Sequence, residues 1–137
     1  MLFYPIIAHH LPSVFMIIRD IANCTHERVI DRSLLYELLH PDKVAGAQAL
    51  ECSIAHAIIP PGKSTLPHLL KSSTELYYIL KGVGEMHIGN ESAPVSPGQI
   101  VLIPPQARQW IRNTGRENLV FLCIVSPKWQ VEDERLC

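Results

Sequence analysis

The stretch GKSTLPHLLKSSTELYYILKG, Gly62 to Gly82, decides the fold. It holds two β-rich runs, Leu66–Leu70 and Glu75–Leu80, each too short for a stable helix and closed by turn residues. In a strand every second side chain shares a face. Glu75, Tyr77 and Ile79 therefore point one way, and His68 points with Leu70. A carboxylate and an imidazole set among leucines and isoleucines describe an interior that is mostly apolar with a few convergent polar groups. That is the usual make-up of a small-molecule pocket.

Working outward, the same rhythm continues. Cys52–Ile59, Glu85–Ile88, Ile100–Ile103, Gln109–Arg112 and Leu119–Ser126 read as further strands. Pro60-Pro61-Gly62, Gly82-Val83-Gly84, Gly89-Asn90-Glu91, Pro104-Pro105 and Asn113-Thr114-Gly115 separate them. Nothing after residue 51 supports a long amphipathic helix, so the fold class is all-β. Closing the strands into a barrel removes the edges that would otherwise aggregate. Ser33–Leu39 fits either a short helix or a strand, and His40-Pro41 ends it because the residue before proline leaves the α region. The expected organisation is an N-terminal extension or edge strand (1–15), a lead-in of strands or short helix (16–50), a barrel (51–128) and a C-terminal tail (129–137).

The chain has 137 residues, 47% apolar and 18% charged, with a net charge of −1. This suits one globular domain with a real core and excludes a disordered chain. No basic field or cluster exists to draw nucleic acid. The apolar start, MLFYPIIAHHLPSVFMII, is broken by Pro5, His9, His10 and Pro12 and has no Lys or Arg before Arg19. It reads as neither a signal peptide nor a membrane span, so the expectation is a cytoplasmic protein with no membrane partner. Cys24, Cys52, Cys123 and Cys137 form no CxxC pair and read as free thiols.

The Gly62–Gly82 segment resembles the first motif of the cupin family: glycine, five residues, His-x-His, three or four residues, Glu, six residues, glycine. Every spacing fits, with Leu70 standing where the second histidine belongs. Gly98 to Asn113, GQIVLIPPQARQWIRN, resembles the second motif. Gly98, Pro104 and Asn113 match, while Gln106 replaces a glycine and Gln109 replaces a histidine. The resemblance implies a cupin-type double-stranded β-helix, a jelly-roll barrel with its site inside, a small-molecule ligand and a homodimer.

In cupins the matching positions hold a divalent metal with three histidines and one glutamate. Only His68 and Glu75 stand at such positions here, and Gln109 offers a weaker, harder carbonyl oxygen. His56, between Ala55 and Ala57, is the candidate replacement. If it faces inward, His56, His68 and Glu75 make a two-histidine, one-carboxylate set for iron, manganese, zinc or nickel, with Gln109 beside it. Against this stands a hydrogen-bonded His68 and Glu75 pair without metal, with Gln109 orienting a ligand and His56 at the core edge. Tyr77 is the candidate for proton transfer, or packs with its hydroxyl wet. His87 is expected outside, and Trp110 and Trp129 are expected to pack. Two functions follow: a metal-dependent enzyme on a small polar molecule, or a binding or sensing module without metal.

Overall fold

The computed structural model describes residues 16–28 and 31–137. The proposed extension, residues 1–15, lies outside the described residues. The strands are β1 (His26–Arg28), β2 (Leu34–Leu39), β3 (Ser53–Ile59), β4 (His68–Leu70), β5 (Thr74–Lys81) and β6 (Gly84–Ile88). They continue as β7 (Glu91–Val95), β8 (Ile100–Ile103), β9 (Gln109–Asn113), β10 (Leu119–Ser126) and β11 (Glu134–Leu136). The helical content among the described residues is two single turns of 3-10 helix, Ile21–Asn23 and Val131–Asp133. No helix among them is long and apolar enough to cross a membrane.

Two antiparallel sheets pack face to face. One has the order β1-β2-β3-β10-β5-β8 and the other β11-β4-β9-β6-β7. This is the expected all-β jelly roll. The open choice at Ser33–Leu39 resolves as strand, because Leu34 to Leu39 pairs with both β1 and β3. β3, β5 and β10 bury alternate residues: Ala55, Ala57 and Ile59; Tyr77 and Ile79; Phe121 and Cys123. With Met86, Ile103, Ile111 and Leu119 these make one core between the sheets. The tail does not trail away. β11 pairs with β4, placing Glu134 opposite Leu70 and Leu136 opposite His68. Asp133 fastens it by accepting bonds from the Ser72 and Ser73 backbone and the Ser72 hydroxyl.

The motif residues that carry no side-chain chemistry prove to be backbone devices. Gly82 turns β5 into β6 at φ +80°, and a Cβ there would sit 2.5 Å from the Asn118 carbonyl oxygen. Gly82→Ala is therefore expected to cost about 2–4 kcal/mol, from left-handed strain and overpacking together. A thermal melt checks it, with a drop of about 10 °C expected. Asn113 ties the barrel's end: its amide nitrogen donates to the carbonyls of Ile59 and Glu117, and its oxygen accepts from Gly115. Gln106, where the motif has glycine, takes φ 69° and is held there by bonds from its backbone and side-chain nitrogens to Leu70 and Lys71 carbonyls.

Candidate metal centre and barrel cavity

His68 lies on β4, buried between the sheets at 2% exposure. Its Nδ1 is 2.7 Å from the Leu66 carbonyl oxygen. A carbonyl can only accept, so Nδ1 carries a proton and Nε2 is turned toward the other side of the ring. The same arrangement orients histidines for metal binding.

Nε2 faces two carboxylates that the motifs do not contain. Asp31 Oδ2 lies 3.7 Å away and Glu134 Oε1 lies 4.0 Å away. Each carboxylate is held by its other oxygen. Asp31 Oδ1 accepts from the Ser33 backbone nitrogen at 2.9 Å and the Ser33 hydroxyl at 2.7 Å. Glu134 Oε2 accepts from the Trp129 indole nitrogen at 3.1 Å. The three inward atoms lie within 4.8 Å of one another, on side chains no more than 8% exposed. Burial and the Asp31 charge push the Glu134 carboxyl above its ordinary range, which His68 and the Trp129 bond only partly offset.

A cavity of about 190 Å³ opens beside this cluster. Glu75 and Tyr77, both expected in the site, line it on β5, as does the half-exposed Lys43, bonded to Glu37 at 2.7 Å. Glu75 is buried and its carboxyl is pushed up to about 7 by desolvation, against the opposing pull of Gln109 and His68. Burial raises the Tyr77 phenol well above its usual value, so it stays protonated and keeps an O–H to donate. The Tyr77 ring packs on Phe121 with centroids 4.5 Å apart.

Gln109 stands behind Glu75, donating from Nε2 to Glu75 Oε1 at 2.7 Å, and its own Oε1 is buried without a partner. Turning the amide over would let that oxygen accept from a protonated Glu75. One contact can thus serve the carboxyl in either state.

His56 requires correction as a ligand candidate. Ala55 and Ala57 take the inner face of β3, which puts His56 on the outer face, where its ring meets Tyr36 edge-on at 6.0 Å. It does not line the cavity, so the His56, His68 and Glu75 set does not assemble. Asp31 and Glu134 were missed because neither belongs to a motif. One sits in the lead-in and the other in the tail, both segments whose acids ordinarily face water. Of the packing expectations, His87 does lie outside, stacked on Trp110 at 4.2 Å and bonded to Glu85. Trp129 does more than pack, since it lines the cavity and positions Glu134.

The family model described as "Cupin domain" matches residues 55–125, just over half of the chain. The chain belongs to the cupin family. An uncharacterized protein of Methanocaldococcus jannaschii is 40% identical over 106 residues, covering 77% of this cupin and 82% of that protein. The oxalate-binding protein of Thermotoga maritima is 33% identical over 67 residues, 49% of this chain and 55% of its own. Among solved structures, a predicted oxalate decarboxylase of Thermotoga maritima superposes with a TM-score of 0.71 at 24% identity. That match covers 81% of this cupin and 99% of the other chain, and it speaks to the fold alone. The matched family segment contains His68, Glu75 and Gln109 but neither Asp31 nor Glu134.

Proposed function

We propose that this cupin binds a divalent cation through Asp31, His68 and Glu134 and uses it to hold and activate a small polar molecule in the barrel cavity. One observation carries the reading. Three ligand-capable atoms converge on one point without bonding each other, at separations of 3.7 and 4.0 Å that exceed hydrogen-bond reach. Two donors bonded to one ion at about 2.1 Å lie about 3–4 Å apart, so the spacing suits a shared cation. The chemistry of the set agrees. Two buried carboxylates beside a third, Glu75, repel one another, and a cation neutralises them where water cannot. Two carboxylates and one imidazole suit manganese or ferrous iron better than softer ions.

Such an ion supplies Lewis acidity, polarising an oxygen of the bound molecule. The chain's residues supply the rest. Asp31 is fixed by Ser33 and Glu134 by Trp129, so the donors are positioned before anything binds. Tyr77 presents a phenol that remains a proton donor. Glu75, balanced near neutrality, is suited to take or give a proton in the cavity. Acid–base chemistry on a small polar substrate follows, rather than passive binding, and the working unit is proposed to be a homodimer.

Metal analysis of protein purified without chelator or immobilised nickel tests this. The expected result is close to one manganese or iron per chain, or stoichiometric uptake on adding either. Less than about a tenth of a metal per chain, with no uptake of iron, manganese, zinc or nickel, would overturn it.

A further inference from the structure

The mouth of the barrel cavity already holds an ammonium group, the chain's own. Lys43 Nζ bonds Glu37 Oε1 at 2.7 Å and lies 5.6 Å from the centre of the Trp129 ring. All three residues line the cavity. Strand parity turns Glu37 inward. It shares a face of β2 with Leu35, which also lines the cavity, while Tyr36 between them meets His56 on the outer face. A carboxylate and an aromatic face side by side are the two surfaces that recognise an alkylammonium. The N–H groups donate to the carboxylate, and the charge rests on the ring.

The three side chains are not equally fixed. Trp129 is held at three points: its carbonyl accepts from His40 Nε2, its backbone nitrogen donates to the Ser53 hydroxyl, and its indole nitrogen donates to Glu134. Glu37 is set in β2 opposite Ala55 of β3, and its side chain is 25% exposed. Lys43 stands on the loop between β2 and β3 and is 57% exposed, on a long flexible stem. An ion pair this open to water adds little stability. The seat is therefore rigid, and its occupant is the part that can leave.

We propose that the molecule received in this cavity carries a primary ammonium group, which displaces Lys43 from Glu37 and Trp129, and an oxygen at its other end for the bound cation. This rests on the reading of the cavity as a substrate pocket and names the substrate class, small amino alcohols and related amines. An anion held by Lys43 is the opposite arrangement, and it requires the strand-borne Glu37 to give way. Among the described residues, four carboxylates line the cavity (Asp31, Glu37, Glu75 and Glu134) against one lysine. Even a divalent ion leaves no excess of positive charge there to draw an anion.

Calorimetric titration with ethanolamine and its longer homologues, against diols of matched length, tests the proposal on protein with and without manganese. The best amino alcohol is expected to bind about tenfold tighter than its diol, the margin of a charge-assisted bond. Glu37→Gln should erase that preference. Lys43→Ala empties the seat and should tighten amine binding about threefold, because the competent fraction rises. Equal binding of every amino alcohol and its diol to the unaltered protein overturns the proposal, whatever the variants do. Weaker amine binding in Lys43→Ala also overturns it, since the lysine would then hold the molecule instead of yielding to it. Counting manganese in the same samples separates the two readings. Metal-loaded protein without the preference loses the ammonium seat and keeps the metal centre. Protein that takes up no metal yet shows the preference, and its loss in Glu37→Gln, keeps the seat and loses the centre.

Discussion

Replacing Glu75 by glutamine is expected to make the metal-free protein about 3 kcal/mol more stable at pH 8 while changing little below pH 4.5. The folded protein holds the Glu75 proton until about pH 7, whereas the unfolded chain releases it near the ordinary 4.5. Between those values the unfolded state binds fewer protons than the native one, so stability falls as pH rises and levels off above 7. About 2.5 pK units at about 1.4 kcal/mol each sets the size of the loss. Glu134, raised by burial and by Asp31, adds a loss of the same sign. Glutamine mimics the neutral acid and keeps a contact with Gln109, so the variant should lose most of the slope. Urea unfolding at pH 5 and pH 8, with chelator, measures it. Equal slopes in the two proteins would show that Glu75 is solvated in the native state.

The second large effect concerns the cation. Asp31→Asn and Glu134→Gln are each expected to weaken manganese or ferrous iron binding at least 100-fold, about 2.7 kcal/mol, since each removes a charged donor. His68→Ala should abolish it. His56→Ala should bind as the parent does, because His56 faces away from the cavity on β3. Titration calorimetry distinguishes these cases. Full affinity in Glu134→Gln would return the ion to the motif positions around Glu75.

The barrel was legible because its joints are written in residue types that only turns require. Gly62, Gly82 and Gly98 all sit at positive φ. β7 escaped notice because ESAPV is an edge strand with Pro94 and four exposed residues, so it has no apolar alternation to read. β11 lies in the charged tail and pairs over three residues only. The side on which His56 falls is open in the sequence for a subtler reason. Ile54, His56 and Ile58 are nearly as apolar as Ala55, Ala57 and Ile59, so polarity does not mark the inner face of β3. The outer face of that sheet is itself apolar, and the ambiguity in the sequence reflects that surface. The shared face of Glu75 and Tyr77 was readable from strand parity. The convergence of Asp31 and Glu134 on His68 was not, because it depends on how the two ends of the chain return to the barrel.

That return has a mechanical meaning. A cation gripped by Asp31 and Glu134 closes a loop of about 100 residues, as a crosslink would, and loops of that length lose the most entropy when tied. The ion would then act as a reversible rivet between the turn that leads into β2 and the last strand, sparing the barrel between them. Chelation should let the ends fray before the barrel melts, so that metal supply governs how long the folded chain resists proteolysis from its ends.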